Sequence, residues 1–135
     1  MTDILIVDDD DIIADLASLA LKERGHSCRW ATSGEEAMAL LDESRPDLIL
    51  LEQDLPDIAG LDWLRDLRAS PRDRLVPVLV FTHQSSDRDD TLAIYYGAQE
   101  CIRKPFEPSE LVARVERWLG TSDRFLPRGG HAITE

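Results

Sequence analysis

The amino-acid sequence predicts an α/β fold in which helices cover both faces of a parallel β-sheet. Short apolar runs alternate with longer segments whose apolar residues recur at helical spacing, five times along the 135 residues. The apolar runs are continuous, as in ILIV at residues 4–7, instead of alternating with polar residues. A strand that is apolar on both sides needs cover on both faces, which is typical of parallel sheets. We therefore expect a single domain of five β–α pairs over residues 1–120.

Turn and capping residues mark the limits of these elements. Gly25 follows the first helical segment as a stop, and Ser33 with Glu36 forms a capping-box pattern. Pro108 suits the first turn of the last helix. In chain order we predict a strand at 4–7, a helix at 11–24, a strand at 27–31, a helix from 33, a strand at 48–51, a helix at 61–67, a strand at 76–81, a helix at 87–96, a strand at 100–103 and a helix from 108. Residues 121–135 are rich in Gly, Pro and polar side chains, so we expect a tail or the start of a linker.

Composition and charge exclude several classes of protein. The net charge of −12 argues against a nucleic-acid-binding surface on this chain, because phosphate binding needs a basic face. No apolar run approaches the ~18 residues of a membrane span, and the first residues lack the basic start of a signal peptide. We expect a cytoplasmic protein with no membrane contact. Cys28 and Cys101 lack metal-ligand spacing, which favours reduced, buried thiols.

Polar residues collect where the predicted strands end. They are Asp8, Asp9, Asp10 and Asp11 after the first strand, Glu52 and Asp54 at the third, Thr82 and His83 at the fourth, and Arg103 and Lys104 at the fifth. A parallel sheet brings these ends to one edge, where functional sites of such sheets lie. Converging carboxylates repel each other unless a cation compensates, and Mg²⁺ suits such oxygen ligands. The four aspartates could also serve only as helix caps.

Five segments of the chain resemble the response-regulator receiver family of two-component signalling. They are ILIVDDD, PDLILLEQDLPDIAG, VPVLVFTH, YYGAQECIRKPF and ELVARVERWL, and they span residues 3–119 in the family's order. The resemblance implies a flavodoxin-like (βα)5 three-layer sandwich with strand order 2-1-3-4-5. It also implies a switch in which a histidine kinase donates a phosphoryl group, with the help of Mg²⁺, to an aspartate at the end of the third strand.

The resemblance assigns expected roles to individual positions. Asp8 and Asp9 match the acidic pair that holds the metal, and Asp54 matches a residue whose backbone carbonyl joins them. Thr82 and Lys104 match the hydroxyl and the ammonium group of the phosphate pocket. The peptide bond between Lys104 and Pro105 matches one that is usually cis in the family.

Three positions depart from the family pattern. Position 52, which matches the phosphoacceptor aspartate, is Glu, whose extra methylene moves the carboxylate by roughly 1.3 Å. Because a misplacement of ~1 Å can cost on the order of 10²-fold in a positioned transfer, we predict a poor acceptor. Its carboxylate could instead imitate a phosphoryl group near Lys104, occupy a position in the metal site, or leave the domain independent of phosphate. Cys101 replaces an aromatic switch residue, and His83 lies where a small residue usually admits the phosphoryl group.

These features favour an atypical receiver, or pseudo-receiver, that works as a protein-interaction module. The alternatives are a conventional Mg²⁺-dependent phosphoacceptor in a phosphorelay and the N-terminal part of a transcription regulator. The sequence shows no combination of a nucleophile, a general base and a residue that orients the base, so we do not expect an enzyme. A sensor histidine kinase or a downstream effector is the expected partner, and a homodimer is also open. The expected contact surface, made by the fourth helix, fifth strand and fifth helix, contains Leu92, Tyr95, Tyr96, Arg103, Arg114 and Trp118.

Overall fold

A computed structural model describes residues 2–83 and 87–119 of the chain. Five strands and five helices alternate through these residues. They are β1 (Asp3–Val7), α1 (Asp11–Glu23), β2 (Ser27–Ala31), α2 (Gly34–Glu43), β3 (Leu48–Glu52), α3 (Gly60–Ala69), β4 (Val78–Thr82), α4 (Asp87–Tyr95), β5 (Glu100–Arg103) and α5 (Pro108–Trp118). The predicted tail at 121–135 lies outside the described residues.

The five strands form one parallel sheet in the order β2-β1-β3-β4-β5. This confirms the predicted α/β class and the flavodoxin-like strand order. A parallel crossover needs a covering helix, which explains why each strand is followed by a helical segment. All five strands therefore point their carboxyl ends to the same edge of the sheet.

Two apolar layers bury the sheet from opposite sides. Residues of β1 alternate between them: Ile4 and Ile6 pack with apolar residues of α1 and α5, whereas Leu5 and Val7 pack with those of α2 and α3. All five residues of β3, and all five of β4, are buried. The continuous apolar runs of the sequence thus correspond to strands covered on both faces. Across the described residues, no helix combines the length and the apolar character needed to cross a membrane.

Capping explains where several elements begin and end. Asp10 is the N-cap of α1, and its carboxylate accepts from the backbone N–H groups of Ile12 and Ile13. Gly25, at φ 90°, ends the turn after α1 in a left-handed conformation that favours glycine. Ser33 Oγ accepts from the Glu36 amide, as the capping-box pattern predicts. The Glu36 carboxylate, however, accepts from the backbone N–H of Thr32.

Several predicted boundaries were wrong by one or two residues, among them the starts of β4 and α3. β4 begins at Val78 and not at residue 76, because Pro77 has no backbone N–H to donate to the ladder. α3 begins at Gly60, one residue early, and its N-cap Ala59 offers no side-chain acceptor. That start therefore left no capping signal in the sequence.

Candidate functional site

Asp8, Glu52 and Lys104 meet at the carboxyl edge of the sheet. Asp8 follows β1, Glu52 ends β3 and Lys104 follows β5. Lys104 Nζ lies 2.7 Å from Asp8 Oδ2 and donates to Glu52 Oε1. All three residues are buried, with exposed fractions of 0%, 2% and 5%. Two buried carboxylates therefore share one ammonium group.

Backbone amides hold the other oxygens of this pair of carboxylates. Glu52 Oε2 accepts from the backbone N–H of Asp54 at 2.8 Å. Asp8 Oδ1 accepts from the backbone N–H of Asp10 at 2.9 Å. Asp8 Oδ2 is within ion-pair distance of Lys104, but the angles fall outside hydrogen-bond geometry. Each of the four oxygens thus faces a positive or donor group, and the Asp8 Oδ2 contact is the least satisfied.

Burial and charge shift the proton equilibria of two members of this cluster. Burial raises the pKa of Asp8 above its ordinary value, although contacts with Lys104 and the Asp10 amide oppose the shift. Burial alone would lower the pKa of Lys104, but the close contact with Asp8, the hydrogen bond to Glu52 and the charge of both carboxylates outweigh it and raise that pKa. Lys104 is therefore held in its charged form by the two carboxylates.

His83 lies next to this cluster but on the surface. Its Nε2 is 3.8 Å from Glu52 Oε1, beyond hydrogen-bond distance, and its side chain is 61% exposed. Thr82, the last residue of β4, is buried. Both residues border an open depression that is also lined by Gln53, Asp54 and Asp89. The predicted phosphate-pocket residues are thus adjacent in space, with His83 at the mouth.

Hydrogen bonds hold the loop after β3 at both its ends and at its middle. Gly60 donates its amide to the Gln53 carbonyl at 2.7 Å, which closes the loop at its base. A Cβ on Gly60 would lie 2.4 Å from the Glu52 carbonyl oxygen, so only glycine fits without a shift. Asp57 accepts from the backbone N–H groups of Gly34 and Glu35, both at 2.9 Å. The loop that carries Asp54 is therefore anchored to the first turn of α2.

Asp57 was missed in the sequence. Asp57 lies in a loop, and its two donors lie at the start of α2, more than 20 positions earlier along the chain. Local capping patterns reach only three or four residues, so no local signal links Asp57 to α2. The two amides lower the pKa of Asp57, because they favour its charged form.

The predicted metal ligands differ in exposure. Asp8 and Glu52 belong to the buried cluster, whereas the side chains of Asp9 and Asp54 are exposed; Asp54 was expected to contribute its backbone carbonyl. Within residues 2–83 and 87–119, no three His, Cys, Asp or Glu side chains form a group that could hold a metal ion. Mg²⁺ nevertheless binds proteins through one or two carboxylates and retained waters. Because Asp8 Oδ2 is buried without a hydrogen-bond donor, the donor set fits Mg²⁺ in kind.

Cys101 and the partner-surface residues lie on β5 and the helices beside it. Both Cys28 and Cys101 are free, as expected, but they are half-buried where buried thiols were predicted. Burial, together with the charge of Asp90, raises the pKa of Cys101 to about 12.

Glu100 accepts from Trp118 Nε1 at 2.5 Å and pairs with two arginines of α5 at 3.4 Å each. A neutral thiol at position 101 is therefore flanked by a charged cluster.

The remaining predicted contact residues differ in exposure. Leu92, Tyr95 and Arg103 are exposed, Tyr95 at 81%, whereas Tyr96 is half-buried. Arg114 donates to the Cys101 carbonyl and to Glu110, so its guanidinium group is engaged within the domain. The exposed part of the predicted surface is therefore mainly on α4.

Comparisons with known proteins agree with this architecture. The family model described as response regulator receiver domain matches residues 4–116. The DNA-binding response regulator MtrA of Mycobacterium tuberculosis is 39% identical over 120 residues, which cover 89% of this chain and 51% of MtrA. The DNA-binding dual master transcriptional regulator RpaA of a Synechocystis species is 35% identical over 132 residues, which cover 98% of this chain and 55% of RpaA. The chain spans about half the length of these curated relatives.

A solved structure shows the same fold. The crystal structure of a putative response regulator from Chloroflexus aurantiacus superposes with a TM-score of 0.84 at 36% identity, over 88% of this chain and 98% of that one. The family resemblance seen in the sequence motifs is thereby confirmed. The chain belongs to the response regulator receiver domain family.

Proposed function

We propose that this domain signals by contact with a partner protein, and that Glu52 holds the acceptor position without taking a phosphoryl group. The observation that supports this most directly is the environment of the Glu52 carboxylate. It is 2% exposed, one oxygen accepts from Lys104, and the other accepts from the Asp54 amide. An acceptor oxygen must lie in line with the leaving group. Both oxygens of Glu52 are instead held by donors of its own domain.

Glu52 also supplies negative charge where a phosphoryl group would add it. Its contacts with Lys104 and with a backbone amide are the kinds of contact that an anionic phosphoryl oxygen makes. The imitation is incomplete, since a carboxylate has one charge and two oxygens against nearly two charges and three oxygens. We therefore propose two forms of the same function: a built-in phosphomimic, or a state that is independent of phosphate.

We propose that the chain can still bind Mg²⁺, because it keeps the family's metal-binding groups. The carboxylates of Asp8 and Asp9 and the backbone carbonyl of Asp54 are the groups that would hold Mg²⁺. The ion would neutralise negative charge gathered at this edge of the sheet. Lys104 already supplies one positive charge to the buried pair of Asp8 and Glu52.

For the partner, we propose a sensor histidine kinase or a downstream effector, which contacts the surface formed by α4, β5 and α5. Leu92 and Tyr95 expose apolar and aromatic surface there, and aromatic side chains are frequent anchors at interfaces. A homodimer through the same surface is the other arrangement that we propose. Glu100 orders the arginines and Trp118 of α5 beside it.

The curated relatives favour a second function. Since they are named as DNA-binding or transcriptional regulators, this chain could act as the receiver part of such a regulator, with conventional Mg²⁺-dependent phosphorylation. No comparison distinguishes the chain from conventional receivers, so the relatives support this alternative better than the pseudo-receiver. The environment of Glu52 is what supports the first function. In either case we propose that this chain, with its net charge of −12, does not itself contact DNA.

A phosphorylation assay separates the two functions. The 135-residue chain and its Glu52→Asp variant are incubated with acetyl phosphate and Mg²⁺, and the intact mass of each is followed with time. We expect the variant to gain one phosphoryl group over a time in which the parent chain gains almost none. Asp54→Asn in the parent chain is the control for phosphorylation of the neighbouring carboxylate.

Phosphorylation of the parent chain at Glu52 would support the conventional receiver and overturn our first proposal. Once the partner is identified, its affinity for the parent chain and for Glu52→Asp distinguishes the phosphomimic from the phosphate-independent state. A phosphomimic requires weaker partner binding by unphosphorylated Glu52→Asp than by the parent. A phosphate-independent domain binds equally in both.

A further inference from the structure

Asp57, in the loop after β3, closes the amino end of a helix that lies elsewhere in the chain. Its two carboxylate oxygens accept from the backbone N–H groups of Gly34 and Glu35, at 2.9 Å each. We infer that Asp57 is a positioning residue: by capping α2 it fixes the loop at residues 53–59, so that the placement of Asp54 depends on α2. The inference does not depend on whether the domain accepts a phosphoryl group.

The first argument is the accounting of backbone donors at the start of α2. The first N–H groups of a helix have no partner within the helix and need an acceptor from outside. The side chain of Ser33, the N-cap of α2, accepts from the Glu36 amide. The amides of Gly34 and Glu35 find their acceptor in Asp57, which also places a negative charge at the positive end of the helix. The capping of α2 is therefore divided between a local serine and the loop after β3.

The second argument is the close packing around Gly34. A Cβ on Gly34 would lie 2.5 Å from Ile58 Cγ2 and 2.9 Å from Trp63 Cδ1. The indole N–H of Trp63 donates to the Gly34 carbonyl at 3.0 Å. Both backbone polar groups of Gly34 thus bond to residues that follow β3, and its missing side chain is what lets Ile58 and Trp63 approach. The loop and α3 are therefore held against α2 at one short contact.

The third argument is the short path from Asp57 to Asp54. Asp54 and Ala59 form an antiparallel bridge, which makes the segment between them a closed turn with Asp57 near its middle. Pro56 restricts the backbone between Asp54 and Asp57, because its ring fixes φ. The Asp54 amide in turn donates to Glu52 at 2.8 Å. A displacement of Asp57 would therefore reach the amide that holds Glu52.

This arrangement gives α2 an influence on the carboxyl edge of the sheet. A partner or a substitution that moves the first turn of α2 would shift Asp57, and through the loop it would shift Asp54. Coupling of this kind is reciprocal, so a change in the loop would also loosen the start of α2. The amino end of α2 is thus a place from which the site can be altered without contact with it.

Amide hydrogen exchange followed by NMR tests this coupling in the 135-residue chain labelled with ¹⁵N. In Asp57→Ala, the amides of Gly34 and Glu35 lose their acceptor and should exchange faster by about 2- to 30-fold, which corresponds to the loss of a helix cap. The amide of Asp54, which donates elsewhere, should exchange faster as well. Its proton resonance should also move upfield, because its hydrogen bond to the Glu52 carboxylate weakens.

Two further variants define what the Asp57 carboxylate contributes. Asp57→Asn keeps one acceptor oxygen and replaces the other with an NH₂ group that cannot accept, so its exchange rates should lie between those of the parent and Asp57→Ala. Asp62→Ala is the matched control, because Asp62 is an exposed acid in the first turn of α3 that pairs with Arg65. It removes the same charge close to the loop and should leave the exchange rates and the Asp54 resonance unchanged.

The same contact can be disturbed from the side of α2. In Gly34→Ala the added methyl group would press on Ile58 and Trp63 and displace the loop. We expect the Asp54 amide resonance to move upfield as in Asp57→Ala, although Asp57 is intact. If Asp57→Ala does not fold, Gly34→Ala and Asp57→Asn decide the question.

The outcomes separate a positioning residue from a simple helix cap. Faster exchange at the start of α2 with an unchanged Asp54 amide would mean that Asp57 only caps the helix, and would overturn the inference. Equal acceleration at buried strand amides such as that of Leu50 would indicate a general loss of stability, and would overturn it too. Unchanged exchange at all of these amides would show that the two hydrogen bonds of Asp57 do not hold the loop.

Discussion

Lys104 and Glu52 form a buried ion pair that joins the ends of β5 and β3 at the carboxyl edge of the sheet. Asp8, which directly follows β1, also contacts Lys104, so one ammonium group connects the ends of three strands. A buried charge that loses its partner is costly, which makes this cluster a determinant of stability as well as a candidate site.

Removal of the ammonium group should destabilise the domain strongly. Lys104→Met leaves two buried carboxylates without a counter-charge, and breaking a buried pair typically costs about 3–5 kcal/mol. We expect a loss of that order in the free energy of unfolding measured with urea. Adding Glu52→Gln to Lys104→Met should recover part of the loss, since one uncompensated charge disappears. If the double variant is no more stable than the single one, the cost lies elsewhere.

Glu100 should be important for the order of α5. Its carboxylate accepts from Trp118 Nε1 and pairs with Arg114 and Arg117. Glu100→Gln weakens these charge-assisted contacts, for which we expect a loss of about 1–2 kcal/mol. Thermal unfolding measures this loss of stability. The fluorescence of the Trp118 indole should change in parallel. Glu110→Gln, which affects a more exposed acid paired with Arg114, is the control and should have a smaller effect.

Acid should weaken the contact between α5 and the end of α1. Arg24 and then His26 lower the pKa of Glu116 below its ordinary value of 4.5. A carboxyl group whose pKa is lower in the folded state contributes stability above its unfolded pKa and loses it as pH falls through the folded pKa. We expect the melting temperature of the parent to fall more steeply below about pH 4.5 than that of Glu116→Gln. Parallel pH profiles for the two proteins would rule out this contribution.

A side chain at position 60 should lower the stability of the domain. A Cβ there would approach the Glu52 carbonyl oxygen to 2.4 Å and the Gln53 Cα to 2.9 Å, both backbone atoms. Relief requires movement of the end of β3, and overpacking of this kind costs about 1–3 kcal/mol. Urea unfolding of Gly60→Ala should show that loss. A neutral effect would mean that the loop can shift without cost.

Much of the architecture was predictable because burial leaves a strong pattern. The runs at residues 4–7 and 48–51 are apolar on both faces, which identified parallel strands, and the rule that their carboxyl ends meet brought Asp8, Glu52 and Lys104 together. The capping serine Ser33 predicted the start of α2, and Pro108 predicted the start of α5. Apolar runs and helix-start residues are local patterns, so the sequence alone shows them.

Other features depend on contacts that sequence spacing does not show. Four successive aspartates look alike in the sequence, but Asp8 enters the buried cluster, while Asp10 caps α1. The anchoring of Asp57 to α2 and the cluster around Glu100 arise from residues distant in the chain. Only the folded structure brings these partners together.

The central claim is that Glu52 does not accept a phosphoryl group because its carboxylate is longer and already held. The most direct measurement is the initial rate of phosphoryl incorporation from acetyl phosphate, compared between the parent chain and Glu52→Asp under the same Mg²⁺ concentration. A misplacement of ~1 Å predicts a rate for the variant higher by on the order of 10²-fold. Equal rates, with the phosphoryl group of the parent located on Glu52, would contradict the claim.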